Sequence, residues 1–348
     1  MSLSLEDVRV DIPAPWSEPF TNGVRHPELW LWDSWVWQGE GRLHLFCLAL
    51  AKRQRDGSPI TPGERNAHTF HVREFVSRDG GTTFRDAGVF FVPGTEGRAD
   101  RRNVWSGYVF GEDAGLFAYT GVAEPTPARP FLQSICLGVR SGADWSASLL
   151  SCPERDYDAI RGAGYYLGPR GGLGHVAGEE GGPILAWRDP FALAHGGGIR
   201  LFWSAKVGPK TPAIASADLV MDGSGSYTLG PLCAPLCLPD ADRMTQAEVP
   251  KIYAVENGYI LLVAACDRLF EGQPDAEVSK VTRAYRADGL DGEWTALSGT
   301  SALGGLEHLF GVSALSASSE GLRVLGPYTE MASRDLQLSF AAPREIRF

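Results

Sequence analysis

Three acidic residues of this chain stand within apolar, aromatic or proline-containing sequence, where a carboxylate is costly unless it has a partner or a function. They are Asp33 in Trp-Asp-Ser-Trp, Asp189 in Trp-Arg-Asp-Pro and Glu248 in Ala-Glu-Val-Pro. Carboxylates that converge repel each other when ionised, which raises the pKa of at least one of them. Such a set can supply what retaining glycoside hydrolysis needs, a nucleophile and a protonated acid. The three residues are candidate catalytic groups if the fold brings them together.

A repeated sequence pattern indicates how the fold does so. A glycine leads a run of β-forming apolar residues at Gly41, Gly115, Gly198, Gly258 and, more weakly, Gly321. The runs recur roughly every 60 to 80 residues, a period that suits β-propeller blades of four strands with their loops. About eight to ten residues before the first four glycines stand Asp33, Ser106, Asp189 and Glu248. The pattern therefore predicts three carboxylates at one equivalent position of three blades, facing the propeller axis.

Composition favours a single all-β domain over two domains. The chain has 348 residues, with 10 Trp, 16 Phe and 10 Tyr to fill a core and 42 Gly and 23 Pro to make turns. Outer hairpins are predicted around the turn signals Asp79-Gly-Gly81, Asp222-Gly-Ser and Asp288-Gly-Leu-Asp-Gly292. Residues 1–28 are rich in proline and polar residues and are predicted as an extended lead-in to a propeller over 29–348.

The charge and the apolar segments exclude several classes of function. A net charge of −10 argues against nucleic-acid binding, which needs a basic surface. No apolar segment reaches the length of about 18 residues that a membrane span requires. The amino terminus has no basic start followed by an apolar stretch, so a cytoplasmic protein is expected, with leaderless export left open. The six cysteines are expected as free thiols, and neither a metal site nor a cofactor is predicted.

The motifs resemble those of glycoside hydrolase family 68, the levansucrases, inulosucrases and bacterial β-fructofuranosidases. The resemblance rests on Leu31-Trp-Asp33-Ser-Trp35, Trp105-Ser-Gly107, Trp187-Arg-Asp189-Pro190 and Gln246-Ala-Glu248, in that order, and covers most of the chain. It implies a five-bladed β-propeller with a central funnel-shaped active site. It also implies Asp33 as nucleophile, Asp189 as transition-state stabiliser and Glu248 as acid/base.

The resemblance implies further contacts to the sugar. Ser106 and Arg188 would bind the fructosyl unit, Trp32 and Trp105 would wall its subsite, and Gln246 would orient the acid/base or the sugar. For the two tryptophans an ordinary core role is equally open. Arg188 beside Asp189 is expected to lower the pKa of that carboxylate.

Two positions depart from the family pattern where the leaving group or acceptor would bind. Val249 replaces the usual basic residue after the acid/base, and Tyr108 replaces the usual serine after Trp-Ser-Gly. The predicted partner is a small carbohydrate, a sucrose-like or other small β-fructofuranoside that is hydrolysed or passed to an acceptor, and these two departures leave its leaving group open. A same-fold glycosidase with another small or specialised glycoside and a non-catalytic sugar-binding propeller stay open, as does the oligomeric state.

Overall fold

The glycine-led runs form the strand next to the innermost one in each of five antiparallel sheets. The structure is a computed structural model, and it describes residues 9–94, 98–126, 129, 131–174, 185–270, 273–297, 301–328 and 338–348. Within these residues each sheet is built on a meander whose strands follow one another along the chain. The all-β, five-bladed propeller predicted from the motifs is confirmed.

Each blade contains between three and five of the described strands. Blade 1 contains β1 (Phe20–Thr21), β2 (Leu29–Gly39), β3 (Arg42–Ala51), β4 (His71–Ser77) and β5 (Thr83–Phe91), and blade 2 contains β6 (Asn103–Phe110), β7 (Leu116–Val122), β8 (Gln133–Ser141) and β9 (Asp144–Ser151). Blade 3 contains β10 (Arg188–His195), β11 (Gly198–Gly208), β12 (Thr211–Met221), β13 (Tyr227–Leu232) and β14 (Leu236–Cys237). Blade 4 contains β15 (Gln246–Val255), β16 (Gly258–Cys266), β17 (Lys280–Ala287) and β18 (Thr295–Ala296), and blade 5 contains β19 (Ser313–Ser318), β20 (Gly321–Leu325) and β21 (Arg344–Arg347).

The first long strand of every blade lies at the centre of the ring. Strand β2 contacts β6, β6 contacts β10, β10 contacts β15, β15 contacts β19, and β19 contacts β2 again. Burial follows from this arrangement. The innermost strand β2 is buried on both faces for most of its length, whereas the outer strand β5 alternates between buried and exposed residues.

A hydrophobic core fills each of the five interfaces between neighbouring blades. The one between blades 1 and 2 is the most aromatic, with Trp35 stacked on Phe117 at 5.5 Å between ring centroids. Separate clusters join blades 2 and 3, 3 and 4, 4 and 5, and 5 and 1. Because these clusters lie between the sheets, they fix the innermost strands relative to one another.

The segment before β2 is fixed to blade 1 by hydrogen bonds to a buried ion pair of that blade. Arg73 donates to both carboxylate oxygens of Asp86, at 2.8 and 2.6 Å, and to the carbonyl oxygens of Pro13 and Ala14. The His26 ring lies 3.2 Å from the same carboxylate. The N-terminal segment therefore packs against the outer part of blade 1.

Helices are short in the described part of the chain. Besides helix α1 (Tyr157–Gly162), the described residues form short 3-10 turns at Pro62–Ala67, Glu112–Ala114, Arg170–Gly172, Ala241–Arg243 and Asp275–Glu277. None of the described helices has the length and apolar character needed to cross a membrane. All six cysteines are free thiols.

Candidate active site

The motif residues of the first four blades lie at irregularities in the innermost strands. In β2 the residue Asp33 has no cross-strand partner, because Trp32 pairs with Leu48 and Ser34 with Cys47. The ladder shifts in the same way at Ser106 in β6, at Asp189 and Pro190 in β10, and at Val249 and Pro250 in β15. A β-bulge bends a strand and changes the direction of a side chain. These four bulges therefore mark where the innermost strands depart from regular β structure.

Three of the bulges have a left-handed backbone at a residue other than glycine. The φ angles are 25° at Asp33, 61° at Asp189 and 42° at Val249. Such conformations cost about 1–3 kcal/mol each and occur mostly at functional sites. Blades 1, 3 and 4 therefore share one local backbone geometry.

This geometry corrects the prediction that all three carboxylates are equivalent. Asp33 and Asp189 occupy the left-handed position, but in blade 4 that position belongs to Val249. Glu248 pairs with Ala264 in the ladder, as Arg188 pairs with Ser204 one blade earlier. Glu248 therefore lies one residue before the equivalent site, because Val249 and Pro250 together form the bulge.

The Asp33 carboxylate is half-buried and accepts a hydrogen bond from Ser106 Oγ across the interface between blades 1 and 2. Burial raises the pKa of Asp33, the Ser106 hydroxyl opposes this rise, and the Glu248 carboxylate adds to it. Ser106 thus stabilises the ionised form of Asp33, the form a nucleophile needs.

Asp189 is more deeply buried, with 4% of the residue exposed. Its backbone N–H donates to Thr120 Oγ1 at 2.7 Å, and its Oδ2 accepts from the backbone N–H of Val249 at 3.1 Å. Burial raises the pKa of Asp189 to about 7, with Arg188 opposing the rise. The predicted effect of Arg188 is present, but burial outweighs it, so the net shift of this carboxyl is upward.

Arg188 joins the acids of blades 3 and 4. Its Nη2 donates to Glu248 Oε1 at 2.8 Å and to Gln246 Oε1 at 3.0 Å, and its Nε lies 3.5 Å from Asp189 Oδ2. The Glu248 side chain is 20% exposed, whereas that of Asp189 is 5% exposed. Of these two carboxylates, Glu248 therefore offers more surface to a ligand.

The two predicted tryptophans lie immediately before the bulges of blades 1 and 2. Trp32 is 6% exposed and packs edge-on against Phe70, with ring centroids 4.6 Å apart. Trp105 is half-buried, and its ring lies 5.2 Å from that of Phe131. Trp32 thus packs in the core between blades 1 and 2, while Trp105 is partly exposed.

Four residues of the site carry no signal in their local sequence. Thr120 accepts from the N–H of Asp189 and donates to the carbonyl oxygen of Ser106, and Ser204 Oγ lies 3.4 Å from Asp189 Oδ2. The other two residues are Lys251, which lies on blade 4, and Gly311, which lies in the segment before blade 5. Among the described residues no group of three or more His, Cys, Asp or Glu side chains is arranged to hold a metal ion.

The fold and the site define a five-bladed β-propeller whose innermost strands bring two aspartates, a glutamate and an arginine together near its axis. No family model and no curated protein matches the sequence. Solved structures do match. A Bacillus subtilis levansucrase variant in complex with oligosaccharides shares 12% identity at a TM-score of 0.62, covering 99% of this chain and 90% of that one. A B. megaterium levansucrase variant shares 13% identity at a TM-score of 0.60, covering 92% and 83%. The resemblance predicted from the motifs is thus confirmed for the fold.

Proposed function

We propose that this protein is a retaining glycosidase or transglycosidase of the levansucrase and β-fructofuranosidase type. The observation that carries the proposal is the mutual arrangement of three carboxyl groups. Arg188 binds Glu248 and lies beside Asp189, and Glu248 acts electrostatically on both aspartates. A non-catalytic sugar-binding propeller gives no reason to keep three mutually repelling carboxyl groups in one buried site.

In the proposed reaction Asp33 attacks the anomeric carbon of a β-fructofuranoside. The bond to the leaving-group oxygen breaks as that oxygen takes a proton from Glu248, which leaves a covalent glycosyl-enzyme. Glu248 then removes a proton from water or from an acceptor hydroxyl, whose oxygen attacks the same carbon and releases Asp33. Asp189, Ser106 and Arg188 bind the sugar hydroxyls while positive charge develops on the ring.

Glu248 is assigned as the acid because its side chain is more accessible to a substrate than that of Asp189. The pKa of Asp189 is raised to about 7, but its side chain is 5% exposed, against 20% for Glu248. Glu248 is more exposed and ion-paired with Arg188. Proton donation from Glu248 therefore requires the substrate to loosen this ion pair, for instance when a sugar hydroxyl takes one of the Arg188 N–H groups.

The surroundings of Glu248 support a second candidate substrate, a glycoside whose leaving group is apolar and not a sugar. A small apolar cluster of Val249, Ala264, Cys266, Val278 and Phe310 adjoins this carboxylate, with Cys266 Sγ 3.8 Å from Glu248 Oε1. Val249, 8% exposed, belongs to this buried cluster at the position where the resemblance would place a basic residue, so the side chain after Glu248 offers no hydrogen bond to a sugar leaving group. The same catalytic roles would then act on a fructoside, or another glycoside, with an apolar leaving group.

The proposal is tested with wild-type protein and the Asp33→Asn variant on sucrose, short fructo-oligosaccharides and a panel of chromogenic glycosides. Released monosaccharide and new oligomers are measured, and the anomeric configuration of the first product is followed by NMR. We expect a product of retained configuration, and a loss of at least about a thousandfold in the variant. The exposed Asp144→Asn is the control and should retain full activity.

The outcomes separate the candidates. Turnover of a different glycoside, lost in Asp33→Asn, would keep the mechanism and change the substrate. If Asp33→Asn retained wild-type turnover, the enzymatic assignment would be wrong. The Glu248→Gln variant should lose activity on poor leaving groups and keep it on activated ones, since only the former need a proton. Equal losses on both would count against Glu248 as the acid.

A further inference from the structure

A buried lysine lies three residues after Glu248 on the innermost strand of blade 4. Lys251 is 3% exposed, and its Nζ donates to the carbonyl oxygens of Gly311 at 2.8 Å and Val312 at 3.0 Å. Both acceptors are neutral. A buried ammonium is costly unless opposite charges lie near it, so its nearest carboxylates are the groups to identify.

The carboxylates that act electrostatically on Lys251 are the two aspartates of the site. Burial lowers the pKa of Lys251 to about 8, and Asp33 and Asp189 both oppose this by favouring the charged form of the lysine. Lys251, Asp189, Ser34 and Ser106 also line one small internal cavity, with space for about one water molecule. The lysine is therefore close to the floor of the candidate active site.

The backbone that Lys251 holds lies beside Asp33. Gly311 has a φ of 67°, and a Cβ atom at this position would lie 3.5 Å from Asp33 Oδ1 and 3.3 Å from Val249 Cγ2. By binding the Gly311 carbonyl, Lys251 thus fixes backbone beside the Asp33 carboxylate, in the segment before blade 5.

We propose that Lys251 is a positioning residue, whose buried charge favours the ionised form of Asp33 and whose hydrogen bonds hold the Gly311 backbone beside it. The proposal rests on the proposed function only in that Asp33 is taken to be the nucleophile. A role limited to capping two carbonyls would not need a charge, because a neutral amide also has two N–H groups. The charge is therefore what an experiment must isolate.

Other charged or titratable groups also face Asp33. They are Glu248 from β15, Asp189 from β10, Cys47 from β3 and Arg65 from the 3-10 turn Pro62–Ala67. Of these, Arg65 is the second cation that lowers the pKa of Asp33, and its contribution is smaller than that of Lys251. Substitution of Lys251 consequently removes the larger of the two cationic effects on this carboxyl.

The test is a titration of the Asp33 carboxyl carbon by NMR in protein labelled at aspartate, with the signal assigned by its absence in Asp33→Asn. In Lys251→Gln and Lys251→Met the pKa of Asp33 should rise, because a cation that favours the ionised form of this carboxyl is lost. In Lys251→Arg, which keeps the charge, it should stay near the wild-type value.

A second buried lysine provides the matched control. Lys206 on β11 is 1% exposed and donates to the carbonyl oxygens of Pro209 and Thr245, so it caps backbone as Lys251 does. Lys206→Gln should leave the Asp33 titration unchanged. An unchanged titration in Lys251→Gln, or equal shifts in both lysine variants, would overturn the proposal.

The kinetic measurement is the pH profile of kcat/KM in Lys251→Gln. The acid limb of this profile should move to higher pH together with the Asp33 titration, and kcat/KM should recover at high pH. The NMR titration needs no substrate. If wild-type protein turned over no glycoside, the proposed function would fail while the role of Lys251 beside Asp33 would still be decided by the titration.

Discussion

Replacement of Asp189 by asparagine should abolish activity and yet stabilise the protein at neutral pH. Burial is the main cause of the rise in the pKa of Asp189 from 3.8 to about 7, and the charges of Glu248 and Asp33 add to it. A raised pKa means that the folded protein binds this proton more tightly than the unfolded chain does. The contribution of Asp189 to stability is therefore fully present below pH 3.8 and is lost as the pH rises through 7.

The size of the effect follows from the shift. One pKa unit corresponds to about 1.4 kcal/mol, so ionising Asp189 in the folded protein costs up to about 4 kcal/mol above pH 7. Asparagine does not ionise, and its side-chain oxygen can still accept the hydrogen bond from the Val249 N–H. Arg188 keeps Glu248 and Gln246 as partners. No buried charge is left without a partner.

The assay is urea unfolding of wild type and Asp189→Asn at pH 4 and pH 8. The variant should gain up to about 4 kcal/mol in the free energy of unfolding at pH 8 and little at pH 4. Asp86→Asn is the control of opposite sign, because burial would raise the pKa of Asp86 but hydrogen bonds from His26 and Arg73 outweigh it and lower that pKa. It should destabilise by about 3–5 kcal/mol, since it breaks a buried ion pair. An Asp189→Asn variant no more stable than wild type at pH 8 would refute the reasoning.

Two further substitutions test the blade 2 contribution to the site. Ser106→Ala removes the hydroxyl that counteracts the burial-induced rise in the pKa of Asp33. We expect kcat/KM to fall by about tenfold to a hundredfold and the acid limb of its pH profile to move to higher pH. An unchanged acid limb would contradict this role of Ser106. Gly107→Ala places a Cβ atom 2.2 Å from the carbonyl oxygen of Ala118, and the strand must shift, at about 1–3 kcal/mol of stability measured by urea unfolding. Gly162→Ala, with open space around its Cβ position, is the matched control.

The repeated pattern predicted the blades because each glycine-led run forms a hairpin partner of the strand that carries the motif. The spacing also predicted Asp33 and Asp189, which lie at equivalent bulges. Spacing could not resolve the one-residue offset of Glu248, because the ladder shift at Val249 and Pro250 depends on pairing with β16. A sequence interval of eight to ten residues is compatible with either position.

The remaining site residues could not be predicted because their roles arise between blades. Thr120 lies on β7 in an unremarkable strand, and its hydroxyl matters only because β10 of the next blade presents the Asp189 N–H to it. The charge of Lys251 likewise acquires meaning from carboxylates on β2 and β10. Pairings of this kind are set by the packing of one sheet against another, which no local pattern encodes.

The strained backbone of blade 4 is held by a carboxylate of blade 3. The Val249 N–H donates to Asp189 Oδ2, so the left-handed turn that follows Glu248 depends on an acceptor supplied by Asp189. Asp189 therefore has two separable roles, one through its charge and one through its oxygen atoms as an anchor for the neighbouring bulge. Because asparagine keeps the acceptor and alanine does not, a kinetic loss in Asp189→Ala combines both roles. The asparagine variant removes the charge alone, and it is the substitution that tests the proposed transition-state stabilisation without displacing Glu248.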